Sequence, residues 1–281
     1  MENFITKLTT LYDSFTPLHS KVANYLMENM DTCAFDTLED FSERVGVSTT
    51  TVIRFSRALG YSGYSELQKD IQSNIQNKVA LPERLRQSSQ LTNNQLLQDS
   101  YLNDISNIQK TIEAQNDDDL DKCVEEICKA RKVFVLGMRS SFAVSYYLAS
   151  RLGEIKKGVR LIESIGMLYP EEIVDAEEGD ICVAFLFPRY SKMTATVISW
   201  LRTQGVKIIL FTSMNAAAVS GYGDIILPCA ISSISYKNSY AAPICLANYL
   251  IAAIAKHNYE ESKEVLAKTE TILKQGYYLG L

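Results

Sequence analysis

The feature that most constrains the fold is a series of short apolar runs in the second half of the chain. Continuous apolar runs lie at residues 133–136, 181–187 and 208–211, and a shorter one lies at 225–227. The stretches between them have the periodicity of amphipathic helices. Short apolar strands that alternate with helices are typical of a parallel sheet buried on both faces. The sequence therefore predicts an α/β domain, with a parallel sheet flanked by helices, at 106–281.

The first 77 residues have a different pattern and predict an all-α domain. Apolar residues recur there at helical spacing, and Thr37 followed by Asp40 resembles a capping box at the start of a helix. Gly46 is placed to end this helix, and Ser48 is placed to cap the next one. Two short helices joined by a tight turn form a helix-turn-helix pattern.

A polar stretch separates the two patterns. Residues 78–105 include Pro82 and are rich in Ser, Asn and Gln, so we expect a linker or hinge that has helical turns. The predicted organisation is a helix-turn-helix domain at 1–77, a linker at 78–105 and the α/β domain at 106–281. Two domains agree with a length of 281 residues.

Composition and charge exclude several classes of protein. With 47% hydrophobic and 22% charged residues, the chain is neither collagen-like nor disordered. A net charge of −5 excludes a uniformly basic coat for nucleic acid, although a local positive face is enough to bind DNA. The longest apolar segment, 241–255, is interrupted by Pro243 and Asn248 and is too short to span a bilayer. Because a signal-peptide pattern is also missing, we expect a cytoplasmic protein with no membrane partner.

The six cysteines indicate neither a disulfide framework nor a metal site. They form no C-x-x-C pair, and both histidines lie far from Cys123 and Cys128 in sequence. Buried, reduced thiols are the simpler expectation. The sequence thus predicts no metal and no cofactor.

The second helix of the helix-turn-helix pattern carries the candidate DNA-binding residues. Val52, Phe55 and Leu59 fall on one face, suited to packing, so the polar groups remain outside. Hydroxyl residues at a helix N-terminus suit entry into a major groove, and an arginine on the same helix can reach a phosphate or a guanine. The candidates are Ser48, Thr49, Thr50, Thr51, Arg54 and Arg57.

The distribution of charge favours the same half of this domain. Residues 1–43 contain two basic and eight acidic residues, whereas residues 44–86 contain seven basic and three acidic ones. The segment expected to read DNA is therefore the basic one. Periodicity alone leaves an ordinary three-helix domain with a threonine-rich cap as the alternative.

The string VGVSTTTVIRFSRALGYSGYSELQKDI, at residues 45–71, resembles the N-terminal domain of RpiR-type bacterial transcription regulators. The resemblance covers about the first seventy residues and implies a domain that binds operator DNA. In that family a SIS (sugar isomerase) domain typically follows. The matching residues are Ser48, Thr51, Val52, Arg54, Phe55, Leu59, Gly60, Tyr61, Gly63, Tyr64 and Leu67.

Polar loops follow three of the predicted strands, each before a helix or a further loop. Such strand–loop–helix junctions are natural anion sites, and the carboxyl ends of neighbouring strands share one crevice. Taken singly, each loop also fits an ordinary serine-rich helix cap. The third loop is 212–215. The candidate ligand-binding residues in the first two loops are Arg139, Ser140, Ser141, Arg189, Tyr190 and Ser191.

These loops resemble the G-x-G-x-S and S-x-S-G-x-T loops of the SIS domain over about residues 105–270. Gly137 and Ser141 match the first loop, and Ser191 stands at the threonine of the second. Arg139 and Arg189 replace glycines, and both serines of the second loop are replaced as well. The resemblance implies an SIS-like fold and an anionic sugar effector. An arginine fork suits either a sugar phosphate or a carboxylate-bearing sugar.

Three functions are compatible with these features. A regulator whose SIS domain senses an anionic sugar and modulates operator binding, controlling genes of sugar metabolism, is favoured over an enzyme. The alternative is a phosphosugar aldose–ketose isomerase with an appended DNA-binding domain, which needs a base. Glu154 and Glu163 are candidates by proximity alone. A DNA-architectural protein with a vestigial second domain is the third.

Two further expectations concern assembly and a polar segment. A single helix-turn-helix makes few contacts with DNA, so we expect a homodimer or homotetramer that reads two half-sites. The polar segment 232–240 precedes a long apolar helix. It could line the crevice or a subunit interface, and it fits an ordinary loop equally well.

Overall fold

The computed structural model of the protein consists of two compact units, residues 1–90 and residues 91–281. The first is helical, and the second is built on a parallel sheet. The structure describes residues 4–33, 36–75, 81–165, 169–214 and 219–275.

The helices described in the first unit are α1 (Phe4–Leu11), α2 (Pro17–Cys33), α3 (Leu38–Val45), α4 (Thr49–Ala58), α5 (Tyr64–Ile75) and α6 (Leu81–Ser88). The first five of them pack around one apolar core. Phe41, Phe55 and Leu67 are fully buried there, on α3, α4 and α5 in turn. The helices α3 and α4 form the predicted helix-turn-helix.

Local capping defines the two helices of this motif. The Thr37 hydroxyl accepts a hydrogen bond from the Asp40 amide and donates one of 2.7 Å to the Asp40 carboxylate. In a complete capping box this carboxylate would accept from the Thr37 amide, whereas here it accepts from the hydroxyl. Gly46 ends α3 in the left-handed conformation, with a φ of 69° that favours glycine. Ser48 accepts a hydrogen bond from the Thr51 amide. The predicted start and stop residues are confirmed.

The second unit contains a five-stranded parallel sheet in the order β2-β1-β3-β4-β5. Its strands are β1 (Val133–Gly137), β2 (Val159–Ile162), β3 (Ile181–Phe185), β4 (Lys207–Ser213) and β5 (Ile225–Cys229). Its helices are α7 (Asn93–Glu113), α8 (Asp117–Lys129), α9 (Phe142–Gly153), α10 (Tyr169–Ile173), α11 (Lys192–Thr203), α12 (Ala241–His257) and α13 (Tyr259–Leu273).

Both faces of this sheet are buried. On β1, Val133 and Val135 pack with residues of α8, α9 and α12, whereas Phe134 and Leu136 pack with residues of α11. The fold class and the four predicted strands are confirmed. The strand β2 was not among the predicted strands, because this edge strand is short and exposes Arg160 between apolar residues.

The segment predicted as a linker contains α6 and the first part of α7. The helix α7 packs against β5 and α12 of the second unit. The linker boundaries at 78–105 stay a prediction, and residues 76–80 lie outside the described ranges.

In the described part of the chain, no helix has the length and apolarity that a membrane span needs. Within the same ranges, five cysteines are free, and no three side chains of His, Cys, Asp or Glu form a group that could hold a metal. Burial raises the pKa of the Cys123 thiol to about 12.

Candidate functional site

The outer face of α4 is polar and basic. Thr50, Arg54 and Arg57 are exposed and recur at helical spacing, so they share one face of the helix. Val52 and Phe55 lie on the opposite face and are fully buried. This division into a packing face and an outer face agrees with the amphipathic pattern in the sequence.

Three of the six candidate DNA-binding residues also stabilise the motif itself. The Ser48 hydroxyl accepts from the Thr51 amide and lies 2.9 Å from the Thr51 hydroxyl. The Arg57 Nε donates to the Ser62 carbonyl over 3.3 Å, which fixes the turn after α4. Thr49 is partly exposed, and Thr50 and Arg54 are exposed. The role of all six in DNA binding stays a prediction.

Aromatic contacts hold α4 in place from its buried side. The Phe55 ring meets the rings of Phe15 and His19 edge to face, with centroids 5.4 and 5.7 Å apart. After α4, the buried Tyr61 hydroxyl donates to the Asp70 carboxylate over 2.6 Å. Burial, followed by this hydrogen bond, raises the pKa of Tyr61, so the phenol stays a donor.

The candidate ligand site is formed where β1 and β3 end. These strands are neighbours in the sheet, so the β1 loop (residues 138–141) and the β3 loop (residues 186–191) lie at the same edge. A Cβ added to Gly137 would lie 2.7 Å from the Ser141 carbonyl oxygen, so only glycine fits there.

The β1 loop keeps a glycine-like backbone without the glycine. Arg139 has a φ of 58°, in a left-handed conformation that residues other than glycine rarely adopt. This is the position at which the SIS pattern has its second glycine. The loop therefore has a backbone that suits glycine and carries an exposed guanidinium group.

A distant segment joins these two loops. The Tyr240 hydroxyl lies 3.1 Å from the Ser140 hydroxyl and 3.4 Å from that of Ser141. The Tyr240 ring lies 5.4 Å from the ring of Phe187. Asn238 donates to the Pro188 carbonyl over 2.6 Å. We call residues 232–240 the bridging segment, because it contacts both the β1 loop and the β3 loop.

The sequence offered the segment 232–240 as a lining of the crevice only as one of several alternatives, and nothing in it singled out Tyr240 or Asn238. About 100 residues separate Tyr240 from Ser140 and Ser141, so no local pattern connects them. The available signal was the run of polar residues immediately before the apolar helix α12. The contacts with both loops agree with a segment that lines the crevice, and a role at a subunit interface stays a prediction.

The end of β4 belongs to the same edge of the sheet. The Tyr190 hydroxyl lies 3.4 Å from the Ser213 hydroxyl, and Thr212 donates to the Leu186 carbonyl over 2.7 Å. Ser191 caps α11 by accepting from the Thr194 amide. Residue 215 of the predicted third loop lies outside the described ranges.

The chemistry of this edge favours an anion. Arg189 is exposed on the β3 loop, as Arg139 is on the β1 loop, and α9 and α11 begin directly after these loops. Helix N-termini offer amide donors, and guanidinium groups offer bidentate donors. That the two arginines converge on one ligand stays a prediction.

The two candidate bases lie in different places. Glu154 follows α9 and forms an ion pair of 2.8 Å with Arg151. Glu163 directly follows β2, so it stands at the same edge of the sheet as the β1 loop and is exposed.

Comparisons with known proteins agree with this architecture. The family profile described as a helix-turn-helix domain of the rpiR family matches residues 2–78. The profile of the SIS domain matches residues 126–255.

Several whole proteins are similar to the chain. An HTH-type transcriptional regulator of Haemophilus influenzae is 23% identical over 80% of this chain and 79% of that protein. Another, of Caldanaerobacter subterraneus, is 21% identical over 97% of this chain and 98% of that protein.

Two solved structures share the fold. The sugar isomerase domain of an RpiR transcription factor from Sphaerobacter thermophilus has a TM-score of 0.60 and 24% identity, over 63% of this chain and 99% of that one. The Vibrio vulnificus NanR protein, complexed with ManNAc-6P, has a TM-score of 0.58 and 20% identity, over 97% of this chain and 98% of that one.

Proposed function

Because the chain belongs to the RpiR-type transcriptional regulators, with an rpiR-family helix-turn-helix domain and a SIS domain, we propose that an anionic sugar controls its binding to operator DNA. The sugar binds at the β1 and β3 loops, and α4 enters the major groove. The observation that carries this proposal is the placement of Arg139 and Arg189 on two loops at one edge of the sheet.

The chemistry of the ligand follows from the two arginines. Each replaces a glycine of the SIS pattern, so close approach of backbone amides is exchanged for a charged fork. A phosphate or a carboxylate on a sugar satisfies such a fork equally well. The similarity to a NanR protein complexed with ManNAc-6P supports a sugar phosphate as the first class to test.

The DNA-binding half of the proposal implies assembly. One α4 offers few base contacts, so a homodimer or homotetramer is proposed to read two half-sites, with centres separated by multiples of about 10 bp. Operator DNA is the proposed partner, and a cytoplasmic location is proposed with it. Light scattering tests the assembly: a monomer that still binds its operator tightly at nanomolar concentration contradicts it.

An isomerase is the second candidate function, and the position of Glu163 is the observation that favours it. This carboxylate stands at the carboxyl end of β2, beside the β1 loop, where a base would have to act. We propose that the protein is not an enzyme, because the relatives it matches are named as regulators. Conversion of a bound aldose phosphate to its ketose, lost in Glu163→Gln, would overturn this.

A thermal-shift screen tests ligand binding directly. The panel contains ManNAc-6P, 6-phosphogluconate, glucuronate and inorganic phosphate, which separates phosphate from carboxylate recognition. A ligand at 100 times its Kd stabilises the protein by about 2.7 kcal/mol. We expect at least one sugar to stabilise the wild type but not Arg139→Ala/Arg189→Ala. Gel shifts with the same sugar then show whether operator affinity changes.

A further inference from the structure

The helix α7 carries a ladder of polar side chains on one face. Asn103, Asn107, Thr111 and Gln115 recur at every fourth residue, the last just beyond the helix end. Four residues of α-helix rise about 6 Å, close to the roughly 6.7 Å that two residues of extended chain span. A helix with this spacing can bond every second residue of a strand that lies alongside it.

The first half of the ladder binds the end of β5. Gln115 Nε2 donates to the Pro228 carbonyl over 2.8 Å, and the Ala230 amide donates to the Thr111 hydroxyl over 2.8 Å. These side chains form hydrogen bonds with the backbone of β5, the strand at the edge of the sheet, and of the residue that follows it. The helix α7 is thereby tied to the strand that leads into the bridging segment.

The second half of the ladder holds the start of the bridging segment. Asn103 and Asn107 both donate to the Ser232 carbonyl, over 2.8 and 2.7 Å. The Ser232 hydroxyl donates back to the Asn107 side chain over 2.6 Å. Asn107 is almost fully buried, so these bonds form where water competes little.

The far end of the bridging segment is also bound to α7. The Ser239 hydroxyl donates to the Asp104 carboxylate over 2.6 Å. The adjacent Tyr240 hydroxyl lies within reach of Ser140 and Ser141 in the β1 loop. Consecutive residues, Ser239 and Tyr240, therefore contact α7 and the candidate ligand site.

We propose that Tyr240 senses occupation of the ligand site and that the bridging segment transmits this to α7, the first helix after the DNA-binding unit in the chain. The proposal rests on the proposed function, whose anion site it extends. An anion that accepts hydrogen bonds from Ser140 and Ser141 competes with the Tyr240 phenol for their hydroxyls. Tyr240 is thus a positioning residue whose release alters the Ser239–Asp104 contact.

Tyr240→Phe tests the transmission without any ligand. This variant keeps the ring packed against Phe187 and removes only the hydroxyl. Amide hydrogen–deuterium exchange on the full chain is expected to rise in the bridging segment and in residues 103–111 of α7. The expected rise is about two- to tenfold, the range that corresponds to one ordinary hydrogen bond.

Tyr147→Phe is the matched control. It removes a phenol hydroxyl that donates to Asn248 over 2.6 Å in the same unit, and neither residue belongs to the bridging segment. Exchange in residues 103–111 is expected to match the wild type. Asp104→Ala removes the acceptor of the Ser239 hydrogen bond. The double variant Asp104→Ala/Tyr240→Phe is then compared with Asp104→Ala alone. Exchange is expected to rise in the bridging segment of the double variant but not in its α7.

The outcomes separate the transmission from the proposed function. Exchange in α7 that is unchanged in Tyr240→Phe, or that rises equally in Tyr147→Phe, overturns the transmission whatever sugar binds. A rise in Tyr240→Phe that Asp104→Ala abolishes supports it, even if every sugar of the thermal-shift panel fails to bind. In that last case the proposed function fails and the mechanical link stands.

Discussion

The two candidate sites are built in opposite ways. In the first unit, the residues of the outer face of α4 come from one helix, and their neighbours in sequence form its cap and its packing face. In the second unit, the β1 loop, the β3 loop and the bridging segment meet although about 100 residues separate Ser140 from Tyr240. A site made by one helix is fixed by local structure, whereas a site made by three segments depends on the whole sheet.

The first way to test this contrast compares one glycine from each unit. A Cβ at Gly137 would meet the Ser141 backbone oxygen at 2.7 Å, whereas a Cβ at Gly46 would approach only the side-chain nitrogen of Lys21, at 3.1 Å. We expect Gly137→Ala to lower the free energy of unfolding by about 3 kcal/mol. Gly46→Ala carries the left-handed backbone penalty of about 1 kcal/mol.

Two signals separate the units in this experiment. The single tryptophan, Trp200, lies on α11, so its fluorescence follows denaturation of the second unit, while circular dichroism follows all helices. Equal losses in the two variants would show that the tight turn after β1 constrains its unit no more than the helix-turn-helix does.

The second test concerns the distributed site, that is, the candidate ligand site formed by the β1 loop, the β3 loop and the bridging segment. Charge-assisted hydrogen bonds contribute about 1.5–3 kcal/mol each, so Arg139→Ala and Arg189→Ala are each expected to weaken binding of the sugar found by screening at least tenfold. The double variant is expected to lose less than the sum if both arginines hold one group. Calorimetry measures all three.

Arg151→Ala is the control for that experiment, since it removes an exposed arginine of α9 that pairs with Glu154. It is expected to bind the sugar normally. If the single variants Arg139→Ala and Arg189→Ala also bind normally, the two arginines are surface residues and the anion site lies elsewhere. Operator affinity without ligand is expected to stay unchanged in all of them.

The third test concerns the candidate DNA-binding face, which α4 alone forms. Arg54→Ala is expected to reduce operator affinity by about 1–3 kcal/mol and to relax sequence preference if the side chain contacts a base. Lys122→Ala, which removes the same charge from α8 of the other unit, is the control. Gel shifts at fixed salt on operator and scrambled DNA measure both. Unchanged operator affinity in Arg54→Ala would remove this residue from the interface.

The same contrast explains what the sequence could predict. Gly46, Ser48 and Thr51 were predictable, because caps and turns depend on residues a few positions apart. Four strands were predictable from apolar runs, but β2 was not, because Arg160 interrupts it at the exposed edge. Tyr240 could not be singled out within the polar segment 232–240, because only the assembled sheet brings its hydroxyl to the β1 loop.

The smallest expected effect tests why the β1 loop carries an arginine. Arg139 has a φ of 58°, which costs an L residue about 1 kcal/mol relative to glycine. Arg139→Ala keeps this penalty and Arg139→Gly removes it, while both lose the guanidinium group. Part of the gain is offset because glycine has more freedom in the unfolded chain.

We therefore expect Arg139→Gly to be more stable than Arg139→Ala by about 0.5 kcal/mol, and both to bind the sugar equally weakly. Trp200 fluorescence in denaturant measures the stability difference, and calorimetry measures the affinity. If Arg139→Gly is more stable than Arg139→Ala but does not bind the sugar, the candidate ligand site retains a strained arginine for recognition. The helix α4 differs in this respect, because its exposed Arg54 lies within a regular helix. Equal stability of the two variants would show that the left-handed backbone is not strained, and the loop would then differ from the SIS pattern in charge alone.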